Sequence, residues 1–290
     1  MIFIKIIKKA KIIISVVCAV LAVCIAAVAY SMLRVKKIEA KDTLTLSSVD
    51  GVDAQNITLT AHRGLSSQEP ENTLPAIKAA CEAGFDYVEF DIRQTSDGEW
   101  VVMHDDKLRR MTDGSGKVSG HTYNEIINVN IDNGANIENY TSLKVPTFSD
   151  VMELMKPFYP DVRPMIEIKG ADAENLGSLI DIIKEYEQSG KSTVIISFDI
   201  EVLRVLKAEC PNQDYWYLTS KLSDEALEIC RENGMRAAFD GNDSDNTVSR
   251  INTFSNAGIE LAAWTIDDPE VMKTLYNAGV RYFTTNRIIP

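Results

Sequence analysis

Histidine is scarce in this chain, with three in 290 residues: His62, His104 and His121. Cysteine is scarce as well. The five, Cys18, Cys24, Cys81, Cys210 and Cys230, are odd in number and lack metal-ligand spacing, so they read as small buried hydrophobes. Beyond residue 41, cationic charge is in short supply. Residues 1–41 hold eight Lys/Arg against Glu39, a local net of +7, and the whole chain is −12, so residues 42–290 carry −19. A body that acidic excludes nucleic acid as a partner, which requires cationic surface. It is also repelled by anionic headgroups. An anionic substrate would need a metal ion or a few placed cations to reverse the field locally. No Gly-x-Gly-x-x-Gly follows the first strand-like run, which weighs against a doubly wound dinucleotide fold.

What the N-terminus does have is an uncharged run of 22 residues, Ile12 to Leu33, flanked by Lys5, Lys8, Lys9 and Lys11 before it and by Arg34, Lys36 and Lys37 after it. About 20 apolar residues span a bilayer as a helix. An uncleaved single-pass anchor over residues 1–37 is therefore expected, placing the protein at the cell membrane. Cleavage after Ala27-Val28-Ala29 and lipidation at Leu21-Ala22-Val23-Cys24 rank below it, because a signal h-region usually holds roughly 7–15 residues. Cations on both flanks tilt the orientation only slightly towards an extracytoplasmic domain. Residues 38–55 are polar and weakly periodic, and read as a linker to a domain over 56–290.

That domain alternates. Strand-like runs are Ile57–Ala61, Tyr87–Asp91, Pro164–Ile168, Thr193–Ser197, Tyr215–Leu218, Arg236–Phe239, Glu260–Trp264 and Arg281–Thr284. Seven helix-like stretches lie between them, near 72–83, 147–157, 172–189, 199–209, 223–233, 247–257 and 267–278. The joints repeat: Glu82-Ala83-Gly84-Phe85, Glu232-Asn233-Gly234-Met235, Asn256-Ala257-Gly258-Ile259 and Asn277-Ala278-Gly279-Val280 each offer a left-handed glycine and then an apolar residue. Eight strands in this span predict an α/β fold of the (β/α)8 TIM-barrel type, with a doubly wound sheet as the alternative. Asp97-Gly98 between apolar runs predicts a hairpin that sets Asp91 opposite His104. Residues 105–146 form a long turn-rich insertion at the same mouth, expected to be a lid or substrate wall that sets specificity.

Chemistry gathers at the strand ends. The first ends in His62-Arg63-Gly64, the second carries Glu89 and Asp91, the hairpin returns His104, and the third carries Glu167 and Lys169. Residues two apart on a strand share a face. Three carboxylates without a thiolate describe a hard-cation site, Mg²⁺ or Ca²⁺ and not zinc. Two imidazoles beside a metal suit phosphodiester cleavage, one taking a proton from the attacking oxygen and the other protonating the leaving alkoxide. Arg63 and Lys169 would neutralise phosphoryl oxygens. Each residue alone has a structural explanation: Arg63, for one, can cap a helix or pair with Glu69. Five ionisable groups together on inward strand ends do not, because unpaired buried charge is costly. His121, inside the insertion, reads as surface.

In this order the motifs resemble the glycerophosphodiester phosphodiesterase family. They are Ala61-His62-Arg63-Gly64, Pro70-Glu71-Asn72-Thr73, Val88-Glu89-Phe90-Asp91, Thr95-Ser96-Asp97-Gly98, Val102-Met103-His104-Asp105, Leu108 through Gly116, Val145-Pro146-Thr147, Ile166-Glu167-Ile168-Lys169, Ile196-Ser197-Phe198 and Ala263-Trp264-Thr265. The resemblance runs from about residue 57 to 286. It implies a TIM barrel, one divalent cation, and hydrolysis of glycerophosphodiesters to sn-glycerol 3-phosphate and an alcohol. By position it implies His62 and His104 as the acid–base pair, Glu89, Asp91 and Glu167 as metal ligands, and Arg63, Lys169 and Trp264 as substrate contacts. Asn72 is expected to cap the first helix and Phe198 to be at most a pocket wall. Two departures stand out: Thr285-Asn286-Arg287-Ile288 replaces a Thr-Asp-Arg-Pro-like run, and no eighth helix follows before Pro290. Neither is expected to touch the site.

Two rival activities share these residues. A related barrel could cleave a phospholipid or lysophospholipid by attack of an internal hydroxyl and release a cyclic phosphate. A non-catalytic binding protein on the same fold is the other, and the intact histidines and carboxylates weigh against it.

Overall fold

A computed structural model describes residues 36–290, and the apolar run 12–33 expected to span a membrane lies outside them. Among the described residues no helix is long and apolar enough to cross a membrane. The compact unit Ile38–Pro290 contains strands β1 (Leu44–Thr45), β2 (Thr58–Ala61), β3 (Tyr87–Gln94), β4 (Trp100–Val102), β5 (Arg163–Ile168), β6 (Val194–Ser197), β7 (Asp214–Thr219), β8 (Arg236–Asp240), β9 (Leu261–Trp264), β10 (Tyr282–Thr285) and β11 (Ile288–Ile289). Strands β2, β3, β5, β6, β7, β8, β9 and β10 pair in parallel in that order, and β10 returns to β2. The fold is therefore a closed eight-stranded parallel barrel of the TIM type, and closure excludes the doubly wound alternative.

The helices start and stop where the side chains allow. Thr73, Asp199, Ser223, Thr247 and Asp268 each accept a hydrogen bond from an N-terminal backbone amide of the helix that follows. Thr147 and Asp150 form a reciprocal capping box at the start of Phe148–Met155. At the four repeated joints the glycines all hold positive φ, between 58° and 101°. The following residue donates back to the last helical turn, as Met235 N does to Cys230 O at 3.0 Å.

Alternation along the strands sorts the side chains. Val88, Phe90, Ile166, Ile195, Ala237 and Phe283 face the helices and join the main core. Met165, Val194, Ile196, Trp216, Leu218, Ala238 and Ala262 face inward and fill the barrel. The same inward period carries Glu89 and Asp91 on β3 and Glu167 on β5.

The hairpin is present, with a register one residue from expectation. Ile92 pairs with Val102 and Gln94 with Trp100, and Met103 N donates to Asp91 O, so Asp91 faces Met103 and His104 lies one residue beyond. The cause is the loop. Thr95 N bonds Glu99 O, enclosing three residues, and Gly98 takes φ 89° at the third. That is a three-residue turn ending in a left-handed glycine, not the two-residue Asp-Gly turn.

Residues 38–55, read as a linker, are packed onto the barrel. Strand β1 pairs in parallel with β11, Leu46 and Val49 are buried in the main core, and Ile38 N donates to Asn133 Oδ1 at 2.8 Å. Apolar residues too sparse to show a period still bury when they meet a ready surface. Strand β11 follows the last barrel strand directly, and this segment joins it through β1.

The lower end of the barrel is shut by aromatic rings and arginines. Trp216 meets Tyr87 and Tyr282 edge-on, with centroids 6.0 and 5.2 Å away. The Arg236 guanidinium lies 5.3 Å from the Trp216 centroid and 5.2 Å from that of Tyr282. Trp216→Ala is expected to cost about 3–5 kcal/mol of unfolding free energy, measured by urea denaturation. A loss under about 1 kcal/mol would show that the rings do not support the barrel.

Candidate functional site

The upper mouth begins with a tight turn. After β2, Arg63 and Gly64 take φ of 59° and 75°. A Cβ on Gly64 would lie 2.5 Å from the Ala76 carbonyl carbon, so only glycine fits. The turn aims Arg63 N at Glu89 Oε2, to which it donates at 2.8 Å. It also brings the Arg63 Nη1 to Glu71 Oε1 at 2.8 Å, where a pairing with Glu69 was the structural alternative.

Glu89 and Asp91 come from β3, and the parallel register sets Asp91 beside Glu167 of β5. One oxygen from each of the three lies within 4.8 Å of the others, and all three residues are buried. Asp91 Oδ2 accepts from Asn72 Nδ2 at 2.7 Å, and Asn72 Oδ1 accepts from Asp91 N at 3.1 Å. Asn72 thus clamps Asp91 and does not cap the first helix; Thr73 does that. Lys169 Nζ lies 3.3 Å from Asp91 Oδ1 and donates to Glu167, while Arg63 Nε lies 3.5 Å from Asp91 Oδ2. Glu89 Oε1 and Asp91 Oδ1 are buried without a hydrogen-bond partner.

Crowding splits the carboxyls. Burial, then repulsion from Asp91 and Glu167, pushes Glu89 well above the usual range. Burial and the neighbouring Asp91 push Glu167 up to about 7. Asp91 is also buried, but Arg63, Lys169 and the Asn72 bond overcome that and hold it well below the usual range. Burial lowers both histidines, His62 to about 4 with Arg63 adding to the effect.

Each histidine is tied back by its Nδ1. His104 Nδ1 lies 2.7 Å from Asp105 Oδ1, and a carboxylate can only accept, so that nitrogen carries the proton. Arg110 grips Asp105 through Nε at 2.6 Å and Glu71 through Nη2 at 2.6 Å. Arg110 and His104 hold Asp105 down at about 2 against its burial. A continuous chain thus runs Arg63, Glu71, Arg110, Asp105, His104. His62 Nδ1 lies 2.8 Å from Asn286 Oδ1. The expectation that the altered run at 285–288 leaves the site untouched is therefore wrong: Asn286 is in contact with the first histidine. Glu71 and Arg110 both stood in quoted motifs without a role. Their pairing across 39 positions has no local signature, so charge in those motifs was the only clue.

These groups line one cavity of about 260 Å³ with His62, Arg63, Glu89, His104, Glu167 and Lys169 on one side. Ile196, Leu218, Ala238, Ala262 and Trp264 line the other, and Trp216 is also part of the lining. Trp264 is therefore cavity wall as well as barrel interior. Phe198 packs edge-on against it at 5.9 Å and stays 47% exposed. No residue of the insertion 105–146 lines the cavity. It forms a satellite core around Leu108, Met111, Val118, Ile126 and Ile131 and reaches the site through Asp105 and Arg110. His121 is half-buried, with Nε2 2.9 Å from Ser115 O.

Residues 62–289 match the model of the glycerophosphoryl diester phosphodiesterase family. The chain belongs to that family. Relatives include a glycerophosphodiester phosphodiesterase of Caldanaerobacter subterraneus subsp. tengcongensis, 31% identical across 76% of this chain and 90% of its own. One of Bacillus subtilis is 28% identical over 78% of this chain and 82% of its own. Among solved structures, a phosphodiesterase of Oleispira antarctica in complex with the product sn-glycerol 3-phosphate superposes with a TM-score of 0.71. It is 25% identical, over 79% of this chain and 92% of that one.

In this family member, Glu167 in the folded state keeps its proton where an unfolded glutamate has lost it. Between pH 4.5 and about 7 its ionisation therefore works against folding, and its contribution to stability falls as pH rises. Measured in chelator, Glu167→Gln should gain on the native chain across that window by up to about 3 kcal/mol. A stability difference that stays flat with pH would refute the elevated carboxyl.

Proposed function

We propose that this chain hydrolyses glycerophosphodiesters to sn-glycerol 3-phosphate and an alcohol, using one divalent cation held by Glu89, Asp91 and Glu167. The observation that carries the reading is the meeting of two back-tied histidines with a cluster of three buried carboxylates, two of which, Glu89 and Glu167, line the same cavity as the histidines. The product named for the Oleispira antarctica structure supports the same reaction. Glu89 and Glu167 are reluctant to ionise beside Asp91, and a divalent cation would displace their protons, draw all three carboxylates to itself and leave Arg63 and Lys169 for the phosphodiester. An all-oxygen donor set, with Glu89 Oε1 buried and without a hydrogen-bond partner, suits Mg²⁺ or Ca²⁺. When bound, the cation supplies charge neutralisation at the phosphoryl oxygens.

The protein's own groups do the rest. Arg63 and Lys169 hold the phosphate and Trp264 bounds the organic part. His62, with a neutral amide as partner, takes the proton of the attacking water at its free Nε2. His104, whose carboxylate partner Asp105 favours the protonated ring, gives a proton to the leaving alkoxide. The exposed Phe198 ring beside the apolar wall favours one second reading, a phospholipid or lysophospholipid cleaved by its own hydroxyl to a cyclic phosphate. The run Ile12–Leu33 would tether the protein to the cell membrane with the barrel outside.

The full-length chain, given glycerophosphocholine and glycerophosphoethanolamine, should release glycerol 3-phosphate. Chelator should abolish turnover, and His62→Ala or His104→Ala should lower kcat by about 10²–10⁴-fold. Cyclic phosphate among the products would transfer support to the second reading, and full activity in both histidine variants would end the acid–base assignment. On cell fractionation the native chain should sediment with membranes and a deletion of residues 1–37 should not; a native chain that stays soluble rules out the anchor.

A further inference from the structure

The residue that departs from the family's usual closing run is also the one that touches His62, and its surroundings fix how it does so. Asp267, in the loop after β9, accepts on Oδ1 from Asn286 N at 2.8 Å and from Thr285 Oγ1 at 3.1 Å. Its Oδ2 accepts from Asn286 Nδ2 at 2.8 Å. A carboxylate offers only acceptors, so the Asn286 amide cannot be turned round: its oxygen would then face the carboxylate oxygen. Its Oδ1 must point the other way, to His62 Nδ1 at 2.8 Å. Ser66 Oγ lies 3.1 Å from the same oxygen and 2.8 Å from the His62 carbonyl. The backbone completes the frame, because His62 N donates to Thr285 O at 2.9 Å.

We infer that Asp267 and Asn286 form a positioning relay that fixes His62 as the tautomer protonated on Nδ1 and bare on Nε2. The amide oxygen can only accept, so His62 Nδ1 must donate; a neutral imidazole carries one N–H, so Nε2 keeps its lone pair. An aspartate at 286 would set two carboxylates face to face, whereas asparagine satisfies both neighbours. Asn286 and Asp267 are thus a matched pair in this chain. The tautomer assignment stands on these hydrogen bonds alone, and its effect on turnover rests on the hydrolase reading above.

The test uses the full-length chain labelled with ¹⁵N-histidine. Long-range ¹H–¹⁵N spectra near pH 8, with the His62 signals identified by their loss in His62→Gln, should show Nδ1 protonated and Nε2 bare. Asp267→Asn sets two amides together and turns Asn286 round, so the His62 proton should move to Nε2. With it, kcat should fall on the order of 10–100-fold, KM staying within about twofold. The exchange Asp267→Asn with Asn286→Asp reverses only the bond between the two side chains: the amide at 267 donates to the carboxylate at 286, which still accepts from His62, and the oxygen at 267 still accepts from the residue 286 backbone N–H. It should return the proton to Nδ1 and raise kcat again by about tenfold. If Asp267→Asn does not fold, Asn286→Ala keeps the loop tied to Asp267 and should give a mixture of both tautomers. A native His62 protonated on Nε2, or a tautomer indifferent to these substitutions, overturns the relay. A native chain with the expected tautomer and no turnover leaves the relay standing and counts against the hydrolase reading instead.

Discussion

Asp91 has no access to solvent, and its carboxylate is met on one side by the Asn72 amide and Arg63 and on the other by Lys169. Keeping that charge inside the barrel requires all three. Asn72 and Arg63 come from the first βα connection, Lys169 from the end of β5, so holding one carboxylate of β3 ties these two parts of the mouth together. Glu167 is brought alongside by strand register, and its proton affinity rises through burial and through the charge on Asp91, against the pull of Lys169. The division of the cluster into one firmly ionised carboxyl and two reluctant ones follows from this single arrangement.

A second consequence runs outward. Arg63 leans on Glu71, Glu71 on Arg110, and Arg110 on Asp105, which holds His104. The insertion, which does not line the cavity, is in this way wired to the site by alternating charge. The interior of the network is half-buried, where ion pairs are screened less than at a surface.

The strands and helices were legible because their signals are local and repeated: a period, a cap, a glycine followed by an apolar residue. The inward positions of Glu89, Asp91, Glu167 and Lys169 were legible for the same reason, since a period of two assigns faces without knowledge of neighbours. The hairpin register slipped by one because Asp97-Gly98 fits two turn types, and the choice rests on a Thr95–Glu99 backbone bond that has no sequence signal. Asn72 looked like a cap because caps and clamps favour the same residue, and only Asp91, 19 positions on, tells them apart. Asn286 and Asp267 meet between the ends of two neighbouring strands, and Asn286 touches a histidine 224 positions away. Nothing local marks such a meeting. Residues 38–55 were misread because their few apolar side chains bury against the barrel and not against one another.

The ring of Trp216, Tyr87, Tyr282 and Arg236 gives the barrel a closed end, and Trp216 lines both the cavity and the groove on the opposite face. The cavity is therefore a blind well with one door. Whatever enters by the strand ends must leave by them, and the part of a substrate nearest the rim leaves first.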